Sequence, residues 1–134
     1  MTDTTAGESG TVLFVDDDHA TLSLYEDYFE RVPSVSPMTA PSVESAQAAL
    51  RSERVDCLVS DGLRTDDGEL FVESASRRHA DLPVILRSGD PPTDRDLPVD
   101  AALRKGSSGD SLATLAETIS ESVDADRAST EPGP

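Results

Sequence analysis

Residues 55–61, Val-Asp-Cys-Leu-Val-Ser-Asp, decide the fold. Their apolar content, with the β-branched pair Val55 and Val59, predicts a short strand. It runs out into a loop that contains Gly62 and Gly68. A short apolar run between turn signals reads as a buried strand of a parallel sheet. Open α/β sheets bind ligands just beyond the carboxyl ends of their strands. Asp61 therefore stands where chemistry takes place, although Asp is also an ordinary turn residue.

Upstream, residues 11–15 (Thr-Val-Leu-Phe-Val) form a second buried strand that ends in Asp16-Asp17-Asp18. Leu22, Tyr25, Phe29 and Val32 follow at helical spacing and predict a helix over 19–32. Asp18 is its N-cap and Pro33 its stop. Residues 34–39 give a weaker strand, which Pro37 places at a sheet edge. Ser42 caps a second helix with Val43, Ala46 and Leu50 inward. A third helix is expected over 67–79, with Phe71 and Ala75 inward.

Downstream, 83–87 (Pro-Val-Ile-Leu-Arg) is a strand leading to Ser88-Gly89. Residues 90–98 have three prolines and no helical periodicity, and read as irregular. Residues 99–104 give a last strand, followed by Lys105-Gly106. Ser107 or Ser108 caps a final helix with the stripe Leu112, Leu115, Ala116, Ile119 and Val123. Residues 1–9 read as a disordered lead-in, 10–123 as one domain, and 124–134 as a disordered polar tail.

Strand and helix thus alternate five times with one helix degraded, which predicts an α/β fold with helices on both faces of a parallel sheet. For five strands the flavodoxin-like, doubly wound order 2-1-3-4-5 is expected, with the fourth helix shortened or missing. That order gathers Asp16, Asp17, Asp61, Ser88 and Lys105 along one edge. Three neighbouring carboxylates call for a cation, and Mg2+ takes oxygen ligands. A hydroxyl and an ammonium suit phosphoryl oxygens. The set reads as a phosphoryl-transfer site with a carboxylate nucleophile.

The 134 residues carry 27 acidic and 11 basic side chains, for a net charge of -16. Ten of the basic residues are Arg and one, Lys105, is Lys. A lysine retained in such a chain, directly after an apolar strand, points to a role that a planar guanidinium cannot fill. The balance looks halophilic, because molar salt screens self-repulsion down to about 3 Å. It argues against direct, sequence-independent nucleic-acid binding and disfavours adhesion to anionic membranes. The single Cys57, inside a strand, reads as a buried hydrophobe. The N-terminus shows no signal-peptide pattern, and no apolar run approaches the ~20 residues of a membrane helix, so a cytoplasmic location is expected.

Over residues 10–123 the chain resembles the receiver domain of two-component response regulators. The resemblance rests on Val-Leu-Phe-Val-Asp16-Asp17-Asp18, Asp-Cys-Leu-Val-Ser-Asp61, Leu-Pro-Val-Ile-Leu-Arg-Ser88-Gly89 and Leu103-Arg104-Lys105. It implies that Asp61 accepts a phosphoryl group from a sensor histidine kinase. Asp16, Asp17, Asp61 and the Leu63 carbonyl would hold Mg2+, and Ser88 and Lys105 would contact the phosphoryl oxygens. Gly89 would leave room for the phosphoryl group. With no effector domain in the chain, output would pass through an unidentified downstream protein or a homodimer formed on phosphorylation. The chain departs from the family pattern in a 61–68 loop one residue short, in Ala102 where an aromatic is usual, and in Gly106 where proline is usual.

Two further readings stand beside this one. A degenerate receiver would bind its partner independently of phosphorylation. A haloacid-dehalogenase-type phosphatase would use Asp16 as nucleophile and Asp18 as general acid, but it would leave Asp61 without a task. In the receiver reading the chain is not an enzyme beyond its own phosphorylation and dephosphorylation. The charge balance makes one prediction independent of function: the melting temperature rises steadily from dilute buffer to molar KCl. A melting curve indifferent to KCl would remove the halophilic reading.

Overall fold

The computed structural model describes residues 10–33, 35–89, 99–104 and 110–130. Five strands, β1 (Gly10–Val15), β2 (Val35–Ala40), β3 (Cys57–Ser60), β4 (Val84–Ser88) and β5 (Ala101–Arg104), form one sheet. All four pairings are parallel, in the order β2-β1-β3-β4-β5. Four helices are present among the described residues: α1 (His19–Phe29), α2 (Val43–Ser52), α3 (Phe71–Arg78) and α4 (Asp110–Thr130). This is the doubly wound architecture that the alternation predicts, and β2, with Pro37 in it, is an edge strand.

Strand alternation divides the core in two. Leu13, Leu58 and Leu86 face α2 and α3 and pack with Ala46, Phe71 and Ala75. Val12, Phe14, Val59 and Ile85 face α1 and α4. The α1 side includes an aromatic run: Phe14 stacks on Tyr25 with ring centroids 4.5 Å apart, and Phe29 lies 4.9 Å from Phe14. On β5, Ala101 and Leu103 join the α1/α4 side, while Ala102 and Arg104 are exposed. The expected loss of a helix between β4 and β5 falls on residues 90–98, outside the described residues. So do the lead-in, the Ser107 or Ser108 cap and residues 131–134.

The helix ends show where local chemistry prevails. Asp18 caps α1 as expected, accepting from the Ala20 N–H at 3.1 Å and the Thr21 hydroxyl at 2.9 Å. Helix α1 ends at Phe29 rather than Val32, because the chain tightens there into bonds of i to i−3 type, Arg31 N–H to the Tyr28 carbonyl and Val32 N–H to that of Phe29. Ser42 caps α2 in a reciprocal box with Ser45. Helix α3 begins at Phe71, four residues later than the periodicity indicates. A small hairpin occupies the difference: Arg64 bridges Leu70, and the Thr65 N–H donates to the Glu69 carbonyl at 2.8 Å. Gly68 turns it with φ 88°, a conformation that suits glycine. The final helix runs on to Thr130, whereas the sequence reads as a polar tail from 124. Its stripe stops at Val123, but no Gly or Pro intervenes before Pro132, and an established helix propagates through such residues.

Cys57 lies on β3 with no exposed surface. Burial, helped by the nearby charges of Asp100 and Asp56, pushes its thiol from the ordinary 9.0 up to about 12. The thiolate is the reactive form. The folded protein should therefore leave Cys57 untouched by a thiol reagent at pH 8 and release it on denaturation. Because the folded pKa is the raised one, this residue costs no stability below pH 9.0. It lowers stability increasingly as the pH climbs from there towards about 12. Rapid labelling in the native state at pH 8 would contradict this packing.

Candidate functional site

Parallel strands in register deliver their following residues to one edge. Val15 pairs with Ser60, so Asp16 and Asp61 emerge side by side, and the Asp61 N–H donates to the Val15 carbonyl at 3.0 Å. On the far side the Asp16 N–H donates to the Ala40 carbonyl at 3.2 Å. Both backbones are fixed by the sheet before their side chains do anything. Asp17 follows Asp16, and carboxylate oxygens of Asp16, Asp17 and Asp61 all lie within 4.8 Å of one another.

The three carboxylates sit in different surroundings. Asp16 is buried, at 1% exposure, and its Oδ1 accepts from the Asp18 N–H at 2.9 Å. Asp17 is exposed and Asp61 half-buried. Asp61 Oδ1 accepts from the Gly62 N–H at 2.8 Å, which sets the carboxylate's orientation. An all-oxygen donor set of this kind matches hard cations such as Mg2+, which bind through one or two carboxylates and keep several waters.

The other expected residues divide. Leu63 is held beside Asp61 by its N–H on the Asp61 carbonyl at 2.8 Å, while its own carbonyl accepts from Phe71 N–H at 2.8 Å. A carbonyl has a second lone pair, so this bond is compatible with a further role. Ser88 is at the site: a Cβ added at Gly62 would stand 3.7 Å from the Ser88 Oγ. At Gly89 an added Cβ meets nothing within 4 Å, so the space there is open. Lys105 follows Arg104, the last residue of β5, and lies outside the described residues. Beside Asp17 and Leu63 a groove of about 680 Å³ opens between the start of α2 and the β3–α3 loop. That loop is braced by the Arg64 guanidinium on the Gly68 carbonyl at 2.7 Å and by the Arg77–Glu69 ion pair. Arg77 holds Glu69, and the Thr65 hydroxyl holds Asp67, below the usual carboxylate range.

Two arginines of this edge were not singled out by the sequence. Arg104 donates to the Gly89 carbonyl at 3.1 Å and so anchors the turn after Ser88. Arg87, next to Ser88, is 5% exposed, and its guanidinium donates to the Tyr25 hydroxyl at 2.7 Å. Desolvating a guanidinium costs on the order of several kcal/mol before its interactions are counted. The signal was a charge closing the run Val-Ile-Leu-Arg, but its partner lies 62 positions away.

No family model matches the sequence, and no curated protein does. Solved structures do match in fold. A CheY-like response regulator receiver domain protein from Methanospirillum hungatei superposes with TM-score 0.76 at 19% identity, over 90% of this chain and 98% of that one. A signal receiver domain of an HD domain-containing protein from Pseudomonas fluorescens gives 0.76 at 16%, over 90% and 98%. A response regulator from Thermotoga maritima, solved in complex with Mg2+ and BeF, gives 0.68 at 19%, over 82% and 98%. The fold is thus that of the CheY-like response regulator receiver domains. Among the described residues no helix is long and apolar enough to cross a membrane.

The carboxylate cluster predicts its own metal dependence. With Mg2+ at a hundred times its Kd, the folded state should gain about 2.7 kcal/mol, read as a higher melting temperature. Asp17→Asn, at an exposed position, should keep the metal-free melting temperature or raise it slightly, by easing repulsion, and should lose the Mg2+ increment. An undiminished increment in that variant would remove Asp17 from the metal site.

Proposed function

We propose that this chain is a phosphoacceptor receiver in a two-component pathway, phosphorylated on Asp61 by a sensor histidine kinase. The observation that carries the proposal is the trio Asp16, Asp17 and Asp61, gathered within 4.8 Å at the carboxyl edge of a receiver-type sheet. An Asp61 carboxylate oxygen attacks phosphorus, the P–N bond of the donor phosphohistidine breaks, and the imidazole leaves with the electron pair. Mg2+, held by Asp16, Asp17, Asp61 and the Leu63 carbonyl, would neutralise charge on the phosphoryl oxygens. Ser88 bonds one phosphoryl oxygen, and Lys105, the chain's single lysine, pairs with another. In this reading output passes to a downstream protein.

Burial argues against the phosphatase alternative. It needs Asp16 as nucleophile, yet Asp16 is 1% exposed with one oxygen on the Asp18 N–H, while Asp61 is the more accessible. Asp18, its general acid, is committed to capping α1. The phosphorylation-independent alternative draws on the exposed Ala102, which pairs with Leu86 on β4 and offers no aromatic ring.

Intact mass after incubation with acetyl phosphate and Mg2+ in molar KCl tests the proposal. One phosphoryl adduct per chain is expected, abolished by a chelator and absent from Asp61→Asn. Absence of the adduct from the folded wild type would favour the phosphorylation-independent binder. Multiple turnover of a phosphomonoester would favour the phosphatase.

A further inference from the structure

Tyr25 spans the strand that carries Asp61. Its ring stacks on Phe14 of β1 and its hydroxyl accepts from Arg87 of β4, and these two strands flank β3 on either side. Val59 of β3 belongs to the same packed cluster. Phe14 precedes Asp16 by two residues, and Arg87 directly precedes Ser88. Ser60 pairs with Leu86, so the next residues along, Asp61 and Arg87, stand level on adjacent strands, which lie about 4.8 Å apart. The Arg87 guanidinium carbon is 5.4 Å from the Tyr25 ring centroid, so the cation meets the phenol at its face as well as its hydroxyl.

From this arrangement we infer that the Arg87–Tyr25 pair senses the phosphorylation state of Asp61 and transmits it to α1. The inference rests on the phosphoacceptor reading and assigns its regulation. Phosphorylation replaces the single charge of the Asp61 carboxylate by an acyl phosphate of up to about two negative charges, on the strand beside Arg87. The Arg87 guanidinium, being buried, is weakly screened from that change. Ser88, drawn to a phosphoryl oxygen, moves the backbone to which Arg87 is bonded. The Arg87 hydrogen bond then shifts on Tyr25, and Tyr25 belongs to α1. The route opens on the α1 side of the sheet. On the other side β5 presents the exposed Ala102, whose methyl group cannot register such a shift.

The chain supplies its own probe, with two tyrosines and no tryptophan. In a Tyr28→Phe background, Tyr25 alone gives the near-ultraviolet absorption and emission of tyrosine. Phosphorylation with acetyl phosphate and Mg2+, counted by intact mass in the same sample, should produce a tyrosine difference spectrum that scales with adduct. Adding Arg87→Met, checked for folding by circular dichroism, should keep the adduct and lose the difference spectrum. Asp61→Asn should give neither. A full adduct with an unchanged tyrosine spectrum overturns the inference and leaves the phosphoacceptor reading intact. An unchanged difference spectrum in Arg87→Met overturns the role of Arg87. No adduct overturns the phosphoacceptor reading, and the inference with it.

Discussion

Repulsion among three carboxylates is the constraint around which the rest of the molecule is arranged. Two unit charges about 4 Å apart repel by about 1 kcal/mol in water and by about 4 kcal/mol in protein-like surroundings. Asp16, Asp17 and Asp61 are held within 4.8 Å regardless. Flexible loops would let them separate. Here Asp16 and Asp61 are the first residues beyond two adjacent parallel strands, and both N–H groups are committed to neighbouring strands. The sheet therefore holds the repulsion in place, and a divalent cation would relieve it.

A parallel sheet can supply that rigidity only if both faces are covered. The all-buried patterns of β3 and of Val12–Val15 in β1 meet the requirement, and the aromatic packing of Phe14, Tyr25 and Phe29 closes the α1 side. The edge strands are treated differently. Pro37 lies in β2, where one side of the strand needs no ladder bond, and β5 alternates half-buried with exposed residues. Burial is greatest in the central strands that lead to the carboxylates and declines towards both edges.

Much of this was legible from residue pattern because buried parallel strands are short apolar runs with few alternatives. Residues 11–15 and 55–61 identify β1 and β3, and the order of the carboxylates follows from topology. The start of α3 was not legible. The apolar spacing of Phe71 and Ala75 says nothing of the hairpin from Arg64 to Leu70, which depends on Gly68 at positive φ and on hydrogen bonds across the turn. The end of α4 was missed because the apolar stripe stops at Val123, whereas the helical backbone runs on to Thr130. Arg87 was read as the last residue of a strand. Its meaning depends on Tyr25, and a contact over 62 positions leaves no local pattern.

The two arginines beside Ser88 differ in what they resist. Arg104 is exposed, and its bond to the Gly89 carbonyl competes with water, so it is worth about 1 kcal/mol or less. Arg87 is buried, and a hydrogen bond made by a charged group is worth about 1.5–3 kcal/mol. A pull on Ser88 would therefore loosen Arg104 first, while Arg87 keeps Tyr25 as its partner and passes the shift on to it. Under the Arg87–Tyr25 proposal this inequality would make the Ser88–Gly89 turn a hinge with one yielding side and one stiff side. Displacement at such a hinge is delivered to the stiff side, where Tyr25 stands between Arg87 and the strand that bears Asp16 and Asp17.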